Sequence, residues 1–477
     1  MAAELLIAVS SEIKFPFRDK NNFLIIAGTN SVYSKKTYKG DSMLAKLTPI
    51  ALAIGVLVSL PARADDVSDL RAQIQLLNDR LAHIETAQKE AQAAPAATGA
   101  TPVTIAQAPG WNLIQGTDTS VSLYGKIDVT VGSRSNADTK GNRQTGMLVS
   151  WMSGNRFGIH GYHVIDKDSG TKVIGTLESE FESPTGNMDT PGVLFNRDAW
   201  IGIESERIGK LTFGRQNTLA RDFIQTWGDA FGTSKVDTSE AGWCNNSNIQ
   251  QLIFYGGGAD GTRNDGSIVW KKEMGPWVVG ATYAFGYVEN GNGPGNSPGQ
   301  FGNGSTTGVA LAYNGGAFNL DGTYTHMVVS NLAHNIFAFG GNYQFGPLVQ
   351  WKAGVAHATV DQAAVGGRTD NVFSTSLVFT PAGKMRYVLG YHNIKVKNAG
   401  YGATGNTLGV TADTSAVTSA ANGKRQTFYT AAFYKFDAQT DIYAVADQVQ
   451  ISDGYKLAST HGHNNMNEFG VGLRWSF

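Results

Sequence analysis

The sequence predicts an all-β fold, a sixteen-stranded antiparallel transmembrane β-barrel with a short amino-terminal helix. Three observations carry that reading. In the last nine residues Phe469, Val471, Leu473, Trp475 and Phe477 are apolar, while Gly470, Gly472, Arg474 and Ser476 between them are small or polar. That is the period of two of a strand with one greasy face. Segments of this kind recur along the chain without helices between them, joined by links that are alternately short and long, as in outer-membrane barrels. The composition agrees. Only 16% of the 477 residues are charged, where about 25% is usual for soluble domains. There are 58 glycines, yet no apolar run after Asp65 approaches the roughly 20 residues of a membrane helix.

Residues 1–42 show no clear period and read as a non-native or dispensable extension. Residues 43–64 read as a signal peptide: a short basic start at Met43-Leu44-Ala45-Lys46, an apolar core from Leu47 to Leu60, and Ala62-Arg63-Ala64 as a small-x-small cleavage site. Met43 is therefore the expected start. In residues 65–90, Val67, Leu70, Ile74, Leu77, Leu81 and Ile84 step by three and four. The pattern fits a periplasmic coiled-coil helix, or an amphipathic helix packed on its own domain. So short a coil needs an oligomer to hold it. Residues 91–118, rich in Ala, Thr and Pro, read as a flexible linker.

The barrel occupies 119–477. In its first strand Ser122, Tyr124, Lys126, Asp128 and Thr130 alternate with apolar or Gly positions. Lys126 and Asp128 are costly against lipid, so that face lines water; the same parity puts Arg474 of the last strand among the pore-lining residues. Further strands fall near 155–164, 171–183, 193–205, 209–216, 265–273, 276–289, 306–315, 317–329, 334–345, 347–360, 369–380, 384–397, 425–436, 440–452 and 467–477. Short turns such as Glu206–Gly209, Gly315-Gly316 and Pro381–Gly383 alternate with longer links such as 290–305 and 398–424. Closing the sheet pairs every backbone donor and acceptor. The link from Asn217 to Thr262 is the longest and carries Asp222, Asp229, Asp237 and Glu240 with Trp227, Phe231 and Trp243. Its aromatic residues need a surface, and the inner barrel wall offers one.

Other functions are less well supported. With a formal net charge of -1, no general attraction for nucleic acid is expected. The single cysteine, Cys244, excludes an internal disulfide and reads as a buried or loop thiol. No metal or cofactor motif is present. His160, His326, His357 and His392 lie in expected strands, but none falls in a catalytic motif, so an enzyme is not expected.

Ser120-Val121-Ser122-Leu123-Tyr124-Gly125, Asn155-Arg156-Phe157-Gly158-Ile159-His160-Gly161, Asn196-Arg197-Asp198-Ala199-Trp200-Ile201-Gly202 and Leu211-Thr212-Phe213-Gly214-Arg215-Gln216 resemble the general porins of Gram-negative bacteria, the beta-proteobacterial branch above all. With terminal Phe477 the resemblance covers about 119–477. It implies a homotrimer in the outer membrane, in contact with lipids and lipopolysaccharide, whose third external loop folds inward and narrows each pore. It further implies wall arginines facing loop carboxylates. Arg156 and Arg197 match two of those arginines by motif, and Arg263 matches more loosely. The acidic side falls to Asp229, Asp237 or Glu240, although the family's Pro-Glu-Phe-Gly-Gly motif is absent, with Gly228-Asp229-Ala230-Phe231-Gly232 in its place. Trp475 and Phe477 match the carboxy-terminal assembly signal. Alternation with Phe157 and Ile159 puts Arg156 on the watery face. Arg197 shares parity with Ala199, Ile201 and Ile203 and falls on the apolar face unless a bulge shifts the register.

The expected function is passive diffusion of small hydrophilic solutes and ions through a water-filled channel. A channel selective for dicarboxylates or sugars is the alternative, since the 65–90 segment is similar to the coiled coils of some such porins. A barrel enzyme, or a cell-wall tether acting through 65–90, are the remaining readings.

Overall fold

The computed structural model describes residues 110–148, 152–224, 262–287, 298–381, 383–403, 405–457 and 460–477. The expected leader, signal peptide, coiled coil and most of the linker lie outside the described residues. Among the described residues there are twenty strands, in chain order β1 (Gly110–Gln115), β2 (Thr119–Arg134), β3 (Gln144–Leu148), β4 (Asn155–Asp166), β5 (Thr171–Phe181), β6 (Asp198–Ser205), β7 (Gly209–Asn217), β8 (Arg263–Met274), β9 (Trp277–Ala284), β10 (Gly286–Tyr287), β11 (Pro298–Gln300), β12 (Thr306–Asn314), β13 (Phe318–Val329), β14 (Leu332–Phe345), β15 (Val349–Val360), β16 (Arg368–Phe379), β17 (Met385–Gly400), β18 (Ala420–Lys435), β19 (Thr440–Ser452) and β20 (Asn465–Ser476). A short helix, α1 (Leu219–Phe223), follows β7.

Each long strand pairs antiparallel with its sequence neighbours, and β2 closes the circle against β20 with Lys126 opposite Ser476 and Arg134 opposite Glu468. The circle has sixteen staves, because some strands share a place. On one edge of β2, Thr130–Arg134 pair with β3 and Thr119–Lys126 pair with β4. These two strands are the halves of one stave. On the other edge, β1 pairs with Ser120–Tyr124 in line with the end of β20. Residues 110–115 thus extend the seam, although the sequence pattern placed them in the linker. Strands β10 and β11 form a separate ribbon in the connection between β9 and β12.

The connections are asymmetric. At one end lie tight turns, such as 206–208, 275–276, 315–317 and 346–348; at the other lie 182–197, 218–262, 285–305 and 401–419. The exception is the hairpin joining β13 and β14. There Ser330 and Asn331 both have positive φ, 50° and 61°, the backbone of a two-residue hairpin turn matched to strand twist.

The two faces invert the order of a soluble domain. Phe157, Phe213, Phe339, Leu389 and Leu473 are exposed on the outside, and Ile201 is 60% exposed. Asp128, Thr130, Asn155, Arg156, Ser374 and Arg425 are buried on the inside. This is the alternation of a barrel solvated by lipid outside. At the tight-turn end aromatic side chains gather in pairs: Trp277 with Tyr313 at 4.7 Å between ring centroids, Tyr343 with Phe345 at 4.6 Å, and Tyr434 with Phe436 at 5.2 Å. Amphipathic rings at strand ends suit a membrane interface.

Part of the inner wall is apolar, which strand parity alone did not predict. The third connection turns into the barrel at Thr218, whose side chain caps α1 by accepting from Arg221 N at 3.1 Å. Leu219 and Phe223 pack with Val269, Val278, Ala310 and Ala312. Ala220 and Ile224 join a cluster that contains Met327, Ile336, Ala356, Val372 and Ile394. Inward apolar residues on these strands give the helix its seat.

Candidate pore constriction

Asp128 sets the geometry of the wall. It lies midway along β2, and its carboxylate accepts from Met152 N at 3.1 Å and Ser153 N at 2.7 Å. Those backbone groups belong to the break between β3 and β4, where no ladder partner serves them. Asn155 Oδ1 accepts from Asp128 N at 2.6 Å. After this break the chain re-enters the sheet with Arg156 pointing inward and its Nε donating to Gly154 O at 3.0 Å. Gly154 leaves room for the next element: a Cβ there would lie 2.0 Å from Glu180 Oε1.

Glu178 and Glu180 share the inward face of β5. Glu178 accepts from Tyr124 OH at 2.8 Å and pairs with Arg197 Nε, while Glu180 pairs with Arg197 Nη1. Arg197 is only 1% exposed. The parity argument that placed it on the apolar face fails because β6 begins at Asp198, later than the expected strand start near 193. Residues 196 and 197 precede the ladder and are held otherwise: Asn196 Oδ1 accepts from Glu180 N at 2.8 Å, and Arg197 N donates to Glu178 O at 3.2 Å. The Arg197 side chain therefore turns inward. Arg263 opens β8, 3.6 Å from Asp198 Oδ1 through its Nε. Arg221 on α1 is buried too, and the neighbouring Asp222 anchors the helix by pairing with Lys271 of β8.

The inner wall from β4 to β8, with α1, thus carries Arg156, Arg197, Arg221 and Arg263 together with Glu178, Glu180 and Asp198, all inside the ring. The sequence reading named three of these arginines and missed Arg221 and the carboxylates. The parity of β5, with Ile174, Glu178 and Glu180 in phase, was the signal for the two glutamates. Asp229, Asp237 and Glu240, the expected acidic loop residues, lie outside the described residues, as does Cys244.

Lys126, Asp128 and Arg474 form a second inward group at the β2–β20 seam, with Asp128 directly opposite Arg474. Tyr443 OH donates to Asp128 Oδ1 at 2.5 Å. Arg474 binds Asp441 through Nη2 at 2.8 Å and Ser153 Oγ through Nη1 at 3.0 Å. Trp475 faces outward at the end of β20, and Phe477 exchanges two backbone hydrogen bonds with Gly125, at 2.9 and 3.0 Å.

A closed ring of staves, apolar outside and charged within, matches what known proteins of one family share. The family model for Gram-negative porins matches residues 91–454. The chain belongs to the Gram-negative porin family. An outer membrane porin protein of Bordetella pertussis is 35% identical over 134 residues, which span 25% of this chain and 34% of that relative. The aligned stretch thus spans about a third of the curated relative. Among solved structures, the anion-selective porin from Comamonas acidovorans aligns with a TM-score of 0.57 at 18% identity, covering 76% of this chain and 100% of that one. A loop L8 deletion mutant of OmpT, an outer membrane protein of Vibrio cholerae, aligns with a TM-score of 0.52 at 15% identity over 76% and 100% of the two chains. At such identity these structures show the shared fold. With an outward apolar belt and this family, the porin is a barrel of the outer membrane.

A titratable group lies at the rim of the arginine cluster. Glu182, just past the end of β5, has its carboxyl pushed up to about 7 by burial, with the Asp189 and Glu180 carboxylates adding to the rise. A raised carboxyl favours the folded arrangement at low pH, and that contribution is lost as pH rises through about 7. Ionisation also adds a negative charge beside Glu180. Current–voltage curves in a salt gradient are therefore expected to drift toward cations between pH 6 and 8 (roughly one unit each side of that value). Glu182→Gln is expected to remove the drift, and a drift that persists in it would assign the effect elsewhere.

Proposed function

We propose that this porin forms a water-filled channel for passive diffusion of small hydrophilic solutes and ions, and that the arginine cluster is its constriction. The observation that carries the reading is the inward ring of Arg156, Arg197 and Arg263 among Glu178, Glu180 and Asp198, inside a barrel whose outer face is apolar. Opposite fixed charges across a narrow passage create a transverse field that orients dipolar solutes and resists apolar ones. The buried end of the third connection, Thr218–Ile224, narrows the same space. Carboxylates of that connection, Asp229, Asp237 or Glu240, are proposed to complete the acidic side.

The group Lys126, Asp128 and Arg474 is read as further pore lining, and Trp475 with Phe477 as the signal that commits the chain to assembly. We read the assembled form as a homotrimer, in which the 65–90 helix packs against its copies. Purified protein reconstituted in a planar bilayer is expected to give stepwise conductance, with closures in threes, in the presence of simple salts. Folded protein that inserts without conducting would overturn the channel reading.

A further inference from the structure

A second polar patch lies on the inner wall, away from the arginine cluster, on β16 to β18. His392 of β17 stands directly opposite Ser374 of β16 and Thr427 of β18. Arg425, two residues before Thr427, takes the diagonal place beside His392, about 7 Å between Cβ atoms for such a pair. Ser374, His392 and Arg425 are each 1% exposed or less. Yet Ser374 Oγ, both ring nitrogens of His392 and all three guanidinium nitrogens of Arg425 have no hydrogen-bond partner among the described residues. Ser376 Oγ beside them is in the same condition.

Other inward arginines on this side of the barrel are satisfied. Arg368 grips Asp370 at 3.0 and 2.8 Å, and Arg474 grips Asp441 at 3.3 and 2.8 Å. A buried guanidinium without an acceptor is costly, more so than a neutral donor. The patch is also held in shape. Tyr429 stacks on the His392 ring at 4.7 Å and 20°, and it lies over Gly390, where a Cβ would stand 2.0 Å from the tyrosine ring. Apolar wall flanks the patch on both sides: Val372 and Ile394 belong to one cluster, Val378 and Val388 to the other.

We propose that Arg425, His392 and Ser374 form a wall site for the carboxylate of a small solute with an apolar body, such as an arene monocarboxylate. The guanidinium fork takes the two carboxylate oxygens, the geometry in which arginine binds carboxylates best. The hydroxyl and the imidazole N–H donate to the remaining lone pairs, and the apolar body lies on the Val378 and Val388 side of the patch, since Val372 and Ile394 already pack in the cluster that seats α1. Asp447 and Glu468 stand opposite each other two and three strands from the His392 strand, on the same inner face. This acidic pair, which shares a hydrogen bond and has Glu468 within electrostatic reach of Arg425, disfavours a second carboxylate on the solute. The proposal deepens the channel reading and rests on it for access of the solute through the lumen.

The test is titration calorimetry of the detergent-solubilised full-length protein with benzoate, benzyl alcohol and succinate, alongside bilayer currents with the same probes. Benzoate is expected to bind, and benzyl alcohol and succinate to bind at least about tenfold more weakly, as loss of a charged hydrogen bond or gain of a repelled charge implies. Arg425→Gln is expected to weaken benzoate about tenfold or more, and Ser374→Ala to weaken it by a smaller factor. If Arg425→Gln does not fold, Arg425→Lys and Ser374→Ala carry the comparison. Benzoate that fails to bind the native protein, or binds the variants equally well, overturns the site, even where channels conduct normally. Benzoate binding to a barrel that does not conduct keeps the site and overturns the channel reading instead.

Discussion

Replacing Arg197 by alanine is expected to turn the preference of the channel toward cations. The side chain holds two carboxylates at once, Glu178 through Nε and Glu180 through Nη1. Without it both remain on the inner wall, and Asp198 with them, against Arg156, Arg221 and Arg263. A unit charge about 4 Å from a passing ion is worth about 1 kcal/mol in a water-like medium. Removing one cation from the wall should therefore ease cations and hinder anions by up to about fivefold each, a change of about twenty-five-fold in the cation-to-anion permeability ratio, read as a shifted reversal potential in a salt gradient. Arg156→Ala, which removes a neighbouring inward cation, should shift it in the same direction. The double change Glu178→Gln with Glu180→Gln should reverse the sign of the shift. An Arg197→Ala channel with the native reversal potential would place the constriction elsewhere in the barrel.

The same substitution tests stability. Stripping one partner from a buried ion pair leaves an uncompensated charge and costs about 3–5 kcal/mol in soluble proteins. Here the cost falls on the connection 182–197, which Asn196 and Arg197 pin to β5. The ladders on either side of it are unaffected. Arg197→Ala barrels are therefore expected to remain closed and to become open to proteolysis within 182–197.

The barrel was legible because its two periods are written plainly in the chain: alternation within strands, and alternation of short and long links between them. Thr306–Asn314 and Asn465–Ser476 alternate buried and exposed at nearly every step, as their sequences do. What parity could not supply is the behaviour of residues just outside a ladder. Arg197 carries the same parity as Ile201 and yet faces the other way, because the extended backbone starts one residue later. The apolar stretch of inner wall was hidden for a different reason. Val372, Ile394 and Ala356 lie in segments that the sequence marks only as strands, and nothing local in them announces that a helix from a distant connection packs there. Glu178 and Glu180 were readable in principle, since they share inward parity with Ile174 along β5. Arg425 stood on no motif at all. Its interest comes from lacking a partner among the described residues, which only three dimensions reveal.

Closure of the ring rests on a small contact that a single methyl group would spoil. Gly125 lies where β2 changes partner from β20 to β1, and there it exchanges two backbone hydrogen bonds with the terminal residue, Gly125 N to Phe477 O at 2.9 Å and Phe477 N to Gly125 O at 3.0 Å. The Phe477 ring covers the glycine and packs against Trp475 at 4.9 Å and Trp111 at 5.2 Å. A Cβ at Gly125 would stand 2.3 Å from the ring's Cζ and 2.8 Å from Arg156 O. The ring can swing away, but the carbonyl belongs to a neighbouring stave and cannot. Overpacking of this kind costs about 1–3 kcal/mol, and displacing the ring forfeits its contacts with both tryptophans as well. Gly125→Val is expected to cut the yield of folded barrel, measured as the fraction that migrates as the compact form on unheated gels, by about tenfold at equal expression. Removing Phe477 should do similar harm by another route, since it deletes both hydrogen bonds and the ring that closes the seam. The two changes act on one contact, so together they should cost little more than the worse of them alone. Additive losses would mean that Phe477 acts before closure, on the machinery that delivers the chain, and that Gly125 acts after it.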